Sequence, residues 1–146
     1  MKHERPNKGA TDVWLTPLAV INALGPFDLD PCGEEYWPTA WDIFTENGLD
    51  REWHGRVWLN PPYSEVGAWL DKLANHGRGI ALVHARTDTK WAQKAMSEAE
   101  SVFFPLGRFK FFHRGGIPSS GNAGAPSMFL SYGEKPEWPF NGFKGR

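Results

Sequence analysis

The stretch Arg56-Val57-Trp58-Leu59-Asn60-Pro61-Pro62-Tyr63-Ser64 decides the fold, because an apolar run enters a Pro-Pro turn and a helical pattern follows it. Residues 56–59 have the pattern of a buried strand, and Ser64 can cap a helix that runs to Gly77. The same unit recurs where the apolar run 79–83 precedes a second helix with Asp88 and Thr89 as its caps. Repeated strand–loop–helix units predict an α/β fold with a central sheet.

Further strands are predicted at 27–30, 101–104, 108–112 and 127–131, which makes about five or six in all. The last strands have no helices between them, so we expect them to pair antiparallel. Only 27 residues separate Cys32 from Asn60, which leaves little room for additional strand–helix units there.

A chain of 146 residues fits a single compact domain, here residues 1–146. The segment 114–126 is rich in Gly, Pro and Ser, which is typical of a mobile loop. The tail 133–146 is predicted to be loosely packed.

Composition excludes several classes of protein. Apolar residues make up 40% and charged residues 23%, which indicates a folded globular protein. No apolar run is long enough to span a membrane and the polar start lacks a signal peptide, so we expect a cytoplasmic protein without a membrane partner. Cys32 is the single cysteine and the five histidines lack ligand spacing, so neither an intrachain disulfide nor a metal site is expected.

The motif Asn60-Pro61-Pro62-Tyr63 has the properties of a rigid set of hydrogen-bond acceptors. It follows a predicted strand, so it lies at the carboxyl edge of the sheet, where α/β folds bind ligands. Pro61 and Pro62 remove two N–H donors, which leaves the carbonyls and the Asn60 amide oxygen as acceptors. Such acceptors can aim the lone pair of a planar amine at a methyl donor, and Tyr63 can stack on the ring that carries the amine. The alternative is a strand-ending turn with a capping asparagine.

A second acidic turn follows the strand 27–30. Asp28 and Asp30 come before Pro31, Cys32 and a single glycine, so the dinucleotide fingerprint is absent. A cleft with carboxylates suits a cationic cofactor that also carries ribose hydroxyls. Surface acids without a role are the alternative.

Contact with DNA needs a local basic surface, because the net charge is −1. Arg108 and Lys110 are interleaved with phenylalanines in the predicted strand 108–112, and alternation puts Arg108, Lys110 and Phe112 on one face. An edge strand protected by charge is the alternative. Further candidate DNA contacts lie after the strand 79–83 and in the mobile loop: Arg86, Thr87, Thr89, Arg114, Ser119 and Ser120. Thr87 can instead be only a helix cap.

Six segments in one order resemble the phage-type DNA adenine-N6 methyltransferases (Dam-like). They are Trp14-Leu15-Thr16-Pro17, Phe27-Asp28-Leu29-Asp30-Pro31-Cys32, Gly48-Leu49 to Trp53, Asn60 to Tyr63, Arg86 to Trp91, and Arg108 to Phe111. The resemblance covers most of residues 12–131 and implies a Rossmann-like class I methyltransferase sheet. We expect this sheet to be truncated between Cys32 and Asn60, because 27 residues leave little room for its second and third strand–helix units. It also implies S-adenosyl-L-methionine as cofactor and DNA as partner.

The resemblance further implies roles for individual residues. Trp14, Thr16 and Pro17 would lie beside the cofactor, Asp28, Asp30, Pro31 and Cys32 in its loop, and Asn60 between cofactor and target. We expect a flipped adenine to be methylated directly at N6, without a covalent enzyme intermediate. A methyltransferase for protein glutamine and a catalytically silent DNA-binding module are the two rival functions.

Overall fold

A mixed seven-stranded sheet forms the centre of the protein in the computed structural model, which describes residues 14–118 and 125–146. The strands are β1 (Trp14–Leu15), β2 (Leu29–Asp30), β3 (Asp42–Ile43), β4 (Val57–Leu59), β5 (Gly79–His84), β6 (Ser101–Pro105), β7 (Phe112–His113), β8 (Ile117–Pro118), β9 (Ser127–Tyr132) and β10 (Gly142–Lys144). The α-helices are α1 (Leu18–Leu24), α2 (Val66–His76) and α3 (Lys90–Glu98). The large sheet has the order β10-β6-β9-β5-β4-β2-β3, so the predicted α/β class is confirmed.

The two faces of this sheet are buried against different elements, because successive side chains of a strand point to opposite faces. Leu59 belongs to the face that α2 and α3 cover, where Trp69 is 2% exposed. Trp58 and Phe129 belong to the other face, which packs against Ile21 of α1. The apolar runs in the sequence therefore correspond to strands buried on both sides.

The helices predicted after β4 and β5 are confirmed as α2 and α3, with changes at their first turns. Tyr63–Glu65 forms a short 3-10 helix before α2, and Ser64 makes no cap bond. Gly77 ends α2 with a φ of 83°, a conformation that favours glycine. Thr89 caps α3, because its hydroxyl oxygen accepts a 3.2 Å hydrogen bond from the Ala92 N–H.

The direction in which successive strands are added to the sheet reverses at β2. β3 pairs with one edge of β2 and β4 with the other, and β2, β3, β4 and β5 are all parallel. The carboxyl ends of β2 and β4 therefore lie side by side at the point where the strand order reverses, which is where open α/β sheets bind their ligands. Asp30 ends β2 and Asn60 follows β4.

The carboxyl-terminal half differs from the sequence prediction in two respects. Antiparallel pairing of β9 with β5 and β6 is confirmed, and β9 lies inside the sheet. Residues 108–111 form no ladder, and only Phe112–His113 pairs, in the small sheet β1-β7-β8. The tail contains the edge strand β10, and its Trp138 stacks on Phe129 at a ring distance of 5.3 Å.

The 27-residue segment between Cys32 and Asn60 contains β3, a 3-10 helix at Gly48–Asp50 and β4, but no α-helix. The short segment therefore holds no complete strand–helix unit, as its length predicted. Gly48 packs directly on Pro31, where a Cβ atom would overlap the Pro31 carbonyl oxygen. No helix in the part of the chain that the structure describes is long and apolar enough to cross a membrane.

Candidate active site

The ends of β2 and β4 are joined by a direct contact. The Cys32 thiol donates to the main-chain oxygen of Asn60 over 3.4 Å. A small cleft opens beside this contact, with a cavity volume of about 40 Å³. Six predicted site residues line it: Trp14, Thr16, Asp30, Cys32, Asn60 and Pro62.

The side chain of Asn60 is fixed by β1. Its amide nitrogen donates to the Trp14 carbonyl oxygen over 2.9 Å and to the Thr16 hydroxyl oxygen over 3.3 Å. A carbonyl oxygen only accepts, so this contact orients the amide and turns its own oxygen away from β1. Within the described ranges no group donates a hydrogen bond to that oxygen, so it can accept one from a ligand.

A buried carboxylate lies at the other wall of the cleft. Asp30 is 4% exposed, and it accepts hydrogen bonds from the Thr39 hydroxyl and, over 3.1 Å, from the Cys32 N–H. Burial raises the pKa of Asp30 to about 6 in spite of these hydrogen bonds, and Glu34 adds to the shift. No cation pairs with Asp30 among the described residues, so the cleft favours a positively charged ligand.

Tyr63 is held in place by His84. Its ring stacks on the imidazole at a centroid distance of 4.4 Å and an interplanar angle of 17°. The His84 main-chain N–H donates to the Tyr63 hydroxyl oxygen over 2.5 Å. Burial raises the pKa of Tyr63 above its ordinary value, so the group remains a hydroxyl at neutral pH.

Three predicted cofactor residues are not brought to this cleft. Asp28 faces away from it, because its carboxylate accepts a 2.7 Å hydrogen bond from the Arg56 N–H. Pro17 is the cap of α1, where its carbonyl accepts from Val20. Pro31 lines an adjoining hollow with Thr45, Glu46 and Asn47.

The candidate DNA contacts after β5 differ in whether their side chains are exposed or already used in contacts within the chain. Arg86 is exposed, and its charge acts on both Tyr63 and His84, whose pKa values it lowers. Thr87 is exposed too, and its carbonyl accepts from Gln93. The Thr89 hydroxyl already donates to the Arg86 carbonyl and caps α3, so a contact with DNA through this group is disfavoured.

Arg108 and Lys110 are exposed, whereas Phe109 is half-buried and Phe111 is buried. The predicted alternation of sides is thus present at 108–111 without the predicted strand. Phe112 faces Trp37 at a ring distance of 5.2 Å, so it does not share the surface of the two basic residues.

Three further candidates are only partly described. The backbone of Arg114 begins the 3-10 helix at Arg114–Gly116. Ser119 and Ser120 lie outside the described residues, as do residues 121–124 of the predicted mobile loop.

The segment after Cys32 also contributes to the cleft, although the sequence did not predict site residues there. Glu34, Trp37 and Thr39 line the cleft, and the Trp37 indole N–H donates to the Thr16 carbonyl over 2.7 Å. The abundance of tryptophan, eight in the chain, was the one available signal. Trp58 is a core residue, 1% exposed, and it also borders the cleft.

Residues 4–135 match the family model described as DNA N-6-adenine-methyltransferase (Dam). The chain belongs to the Dam family. The Dam-family match includes both strand ends and the whole cleft, and it agrees with the resemblance of the six sequence segments.

The Dam-family chain is also similar to a protein of Escherichia phage T1 named DNA N-6-adenine-methyltransferase. The two are 30% identical in an alignment of 105 positions that covers 64% of this chain and 44% of the phage protein. The chain thus spans less than half of that relative's length. No solved structure matches the chain significantly.

Proposed function

We propose that this chain transfers a methyl group from S-adenosyl-L-methionine to the N6 amine of an adenine flipped out of DNA. In this reaction a carbon–nitrogen bond forms at N6, the donor's sulfur–carbon bond breaks, and N6 loses a proton to solvent. No covalent bond to the enzyme is required. The observation that carries the proposal is the anchored Asn60 amide, whose oxygen is an acceptor at the edge of the cleft.

The residues of the cleft fit the proposed cofactor. The buried Asp30 carboxylate has a raised pKa and no cationic partner among residues 14–118 and 125–146, and a ligand with a sulfonium or an ammonium group would supply that partner. Trp14, Cys32 and Thr16 form neighbouring walls. S-adenosyl-L-methionine, when bound, supplies an electrophilic methyl group.

Asn60 and Pro61 would orient the target amine. The lone pair of an exocyclic amine is delocalised into its ring, so the amine is a poor nucleophile. Hydrogen bonds from N6 to the Asn60 amide oxygen and the Pro61 carbonyl would localise this lone pair and fix its direction. Trp14 contributes by holding the Asn60 amide nitrogen, so the acceptor is oriented before the substrate arrives.

The ring of Tyr63 would stack on the flipped adenine, as aromatic walls do in other enzymes that act on extruded bases. Arg86 places positive charge beside this ring, where the phosphates next to the flipped base need a partner. Arg108 and Lys110, which are exposed, would contact phosphates farther along the duplex. DNA is therefore the proposed partner.

A Rossmann-like class I methyltransferase fold is the proposed class. The reversal of strand order at β2 and the parallel β3-β2-β4-β5 half support it. The adjoining hollow beside Pro31 extends the cleft toward the end of β3, with Glu46 on its wall.

The test is to sequence modified DNA from cells that express the wild type or Asn60→Ala, at matched protein levels. We expect N6-methyladenine at a defined site with the wild type and its loss with the variant. An unchanged pattern would refute the mechanism. Incubation of the pure protein with labelled S-adenosyl-L-methionine and either DNA or host protein separates the rivals: label in protein alone would favour a glutamine methyltransferase, and no cofactor binding would favour a silent module.

A further inference from the structure

The contact between Tyr63 and His84 is more than ordinary packing at a strand end. Their rings are nearly parallel, at 17°, and their centroids are 4.4 Å apart. The Tyr63 hydroxyl is fixed as well, because the main-chain N–H of His84 donates to it over 2.5 Å. One residue thus fixes both the plane of the Tyr63 ring and the position of its hydroxyl oxygen.

We propose that His84 is a positioning residue for the target base: its imidazole supports one face of Tyr63 and keeps the ring in the plane on which the flipped adenine stacks. The inference rests on the proposed function. His84 itself makes no contact with the reacting atoms in this proposal, and it acts through Tyr63.

The physical reason is preorganisation. A tyrosine ring that must lose rotational freedom when the base arrives weakens base binding by that loss, whereas a ring already held by a parallel partner does not. Offset-parallel aromatic pairs stabilise each other beyond the area that they bury. Burial and the charge of Arg86 lower the pKa of His84, so its ring is neutral at physiological pH and forms a neutral aromatic pair.

The two contacts of His84 can be separated by mutation. The hydrogen bond to Tyr63 comes from the main chain and is retained when the side chain changes. The stacking depends on a flat ring. His84→Phe keeps a flat ring, and His84→Leu fills the position without one, so the two variants differ in the property that the proposal invokes.

The experiment compares the wild type, His84→Phe and His84→Leu on a duplex that carries the site mapped by sequencing. Steady-state methylation gives KM for DNA and kcat, and 2-aminopurine in place of the target adenine reports stacking of the extruded base. Cofactor binding by calorimetry and thermal unfolding check that each variant is folded. Wild-type activity on adenine must be present first, and its absence would reject the proposed function and this inference together.

For His84→Leu we expect KM for the duplex to rise about tenfold, with less change in kcat and in cofactor affinity, and a change in 2-aminopurine fluorescence. His84→Phe should remain within about twofold of the wild type. Equal KM values for His84→Leu and His84→Phe would reject the inference while the proposed function stands. A lower KM in His84→Leu would also overturn it, because the imidazole would then compete with the base for the Tyr63 face.

Discussion

The Asn60 amide nitrogen donates a 2.9 Å hydrogen bond to the main-chain oxygen of Trp14, which lies 46 residues earlier in the chain. This bond connects β1 to the end of β4. It determines which end of the Asn60 amide faces a ligand, because the Trp14 oxygen can only accept. The contact therefore makes the Asn60 amide oxygen a hydrogen-bond acceptor with a fixed direction.

Asn60→Ala should reduce kcat for methyl transfer by about 100-fold to 1,000-fold, the usual effect of removing one group that stabilises a transition state. Asn60→Asp keeps an acceptor but loses the donor to Trp14, so its loss should be smaller. Single-turnover methylation with labelled cofactor measures both. Equal losses in the two variants would show that the anchor, rather than the acceptor oxygen, is the essential feature.

Cofactor affinity should depend on the protonation of Asp30. Burial raises the pKa of this carboxyl to about 6, and a bound cation favours its charged form. Affinity should therefore increase as pH rises through about 6, and binding below about pH 6 should release protons. Calorimetry in two buffers of different ionisation enthalpy measures this release, which Asp30→Asn should abolish.

The same carboxyl has the opposite effect on the stability of the cofactor-free protein. Its pKa is about 6 in the folded state and its ordinary value is 3.8, so between these pH values the folded state binds more protons than the unfolded state. The contribution of Asp30 is most favourable below the lower value and declines as pH rises to the upper one. Urea unfolding should show this as a stability difference between the wild type and Asp30→Asn that shifts in favour of the variant as pH rises.

Arg56 connects three parts of the chain, so Arg56→Ala should lower the free energy of unfolding by roughly 2–3 kcal/mol. Its guanidinium makes two bonds of 2.8 and 2.9 Å to Glu134 in the tail and donates to the carbonyls of Leu24 and Pro26. Glu134→Gln retains an acceptor, so it should lower the free energy of unfolding by only about 1 kcal/mol. Equilibrium unfolding in urea measures both, and an unaffected Arg56→Ala would mean that the tail does not stabilise the sheet.

Gly48→Ala should destabilise the fold by about 3 kcal/mol, because its Cβ would overlap the Pro31 carbonyl and approach the Trp69 ring to 2.8 Å. Gly67→Ala is the matched control. Its Cβ would meet only Trp91, at 3.6 Å, and alanine in a helix is favoured over glycine by about 0.5–1 kcal/mol. The midpoint of thermal unfolding should therefore fall in Gly48→Ala and rise in Gly67→Ala.

If Arg108 and Lys110 contact phosphates, each alanine substitution should reduce the slope of log affinity against log salt by about 1. Lys144, an exposed lysine on the edge strand β10, is the control, and Lys144→Ala should leave the slope unchanged. Fluorescence anisotropy with a labelled duplex at several salt concentrations measures the slopes. Identical slopes for the wild type and the three variants would show that Arg108 and Lys110 do not contact DNA phosphates.

Short-range patterns were sufficient to predict the central elements. The apolar runs that became β4 and β5 were recognisable because both faces of these strands are buried, and Gly77 and Thr89 marked helix ends through local backbone chemistry. The run 108–112 was misleading, since alternation of burial requires only an extended chain, whereas a strand requires a partner that the sequence does not specify. β10 was missed because its residues are exposed.

The sequence by itself determined the Pro-Pro turn, the acidic turn at Asp30 and their common position at the carboxyl ends of strands, because each depends on neighbouring residues. Only the tertiary structure decided which groups meet there. It directed Asp28 to the Arg56 main chain, brought Trp37 and Thr39 to the cleft, and joined Asn60 to Trp14 and Tyr63 to His84. These contacts depend on strand order and on which side of a strand each residue occupies, and local sequence encodes neither across such separations.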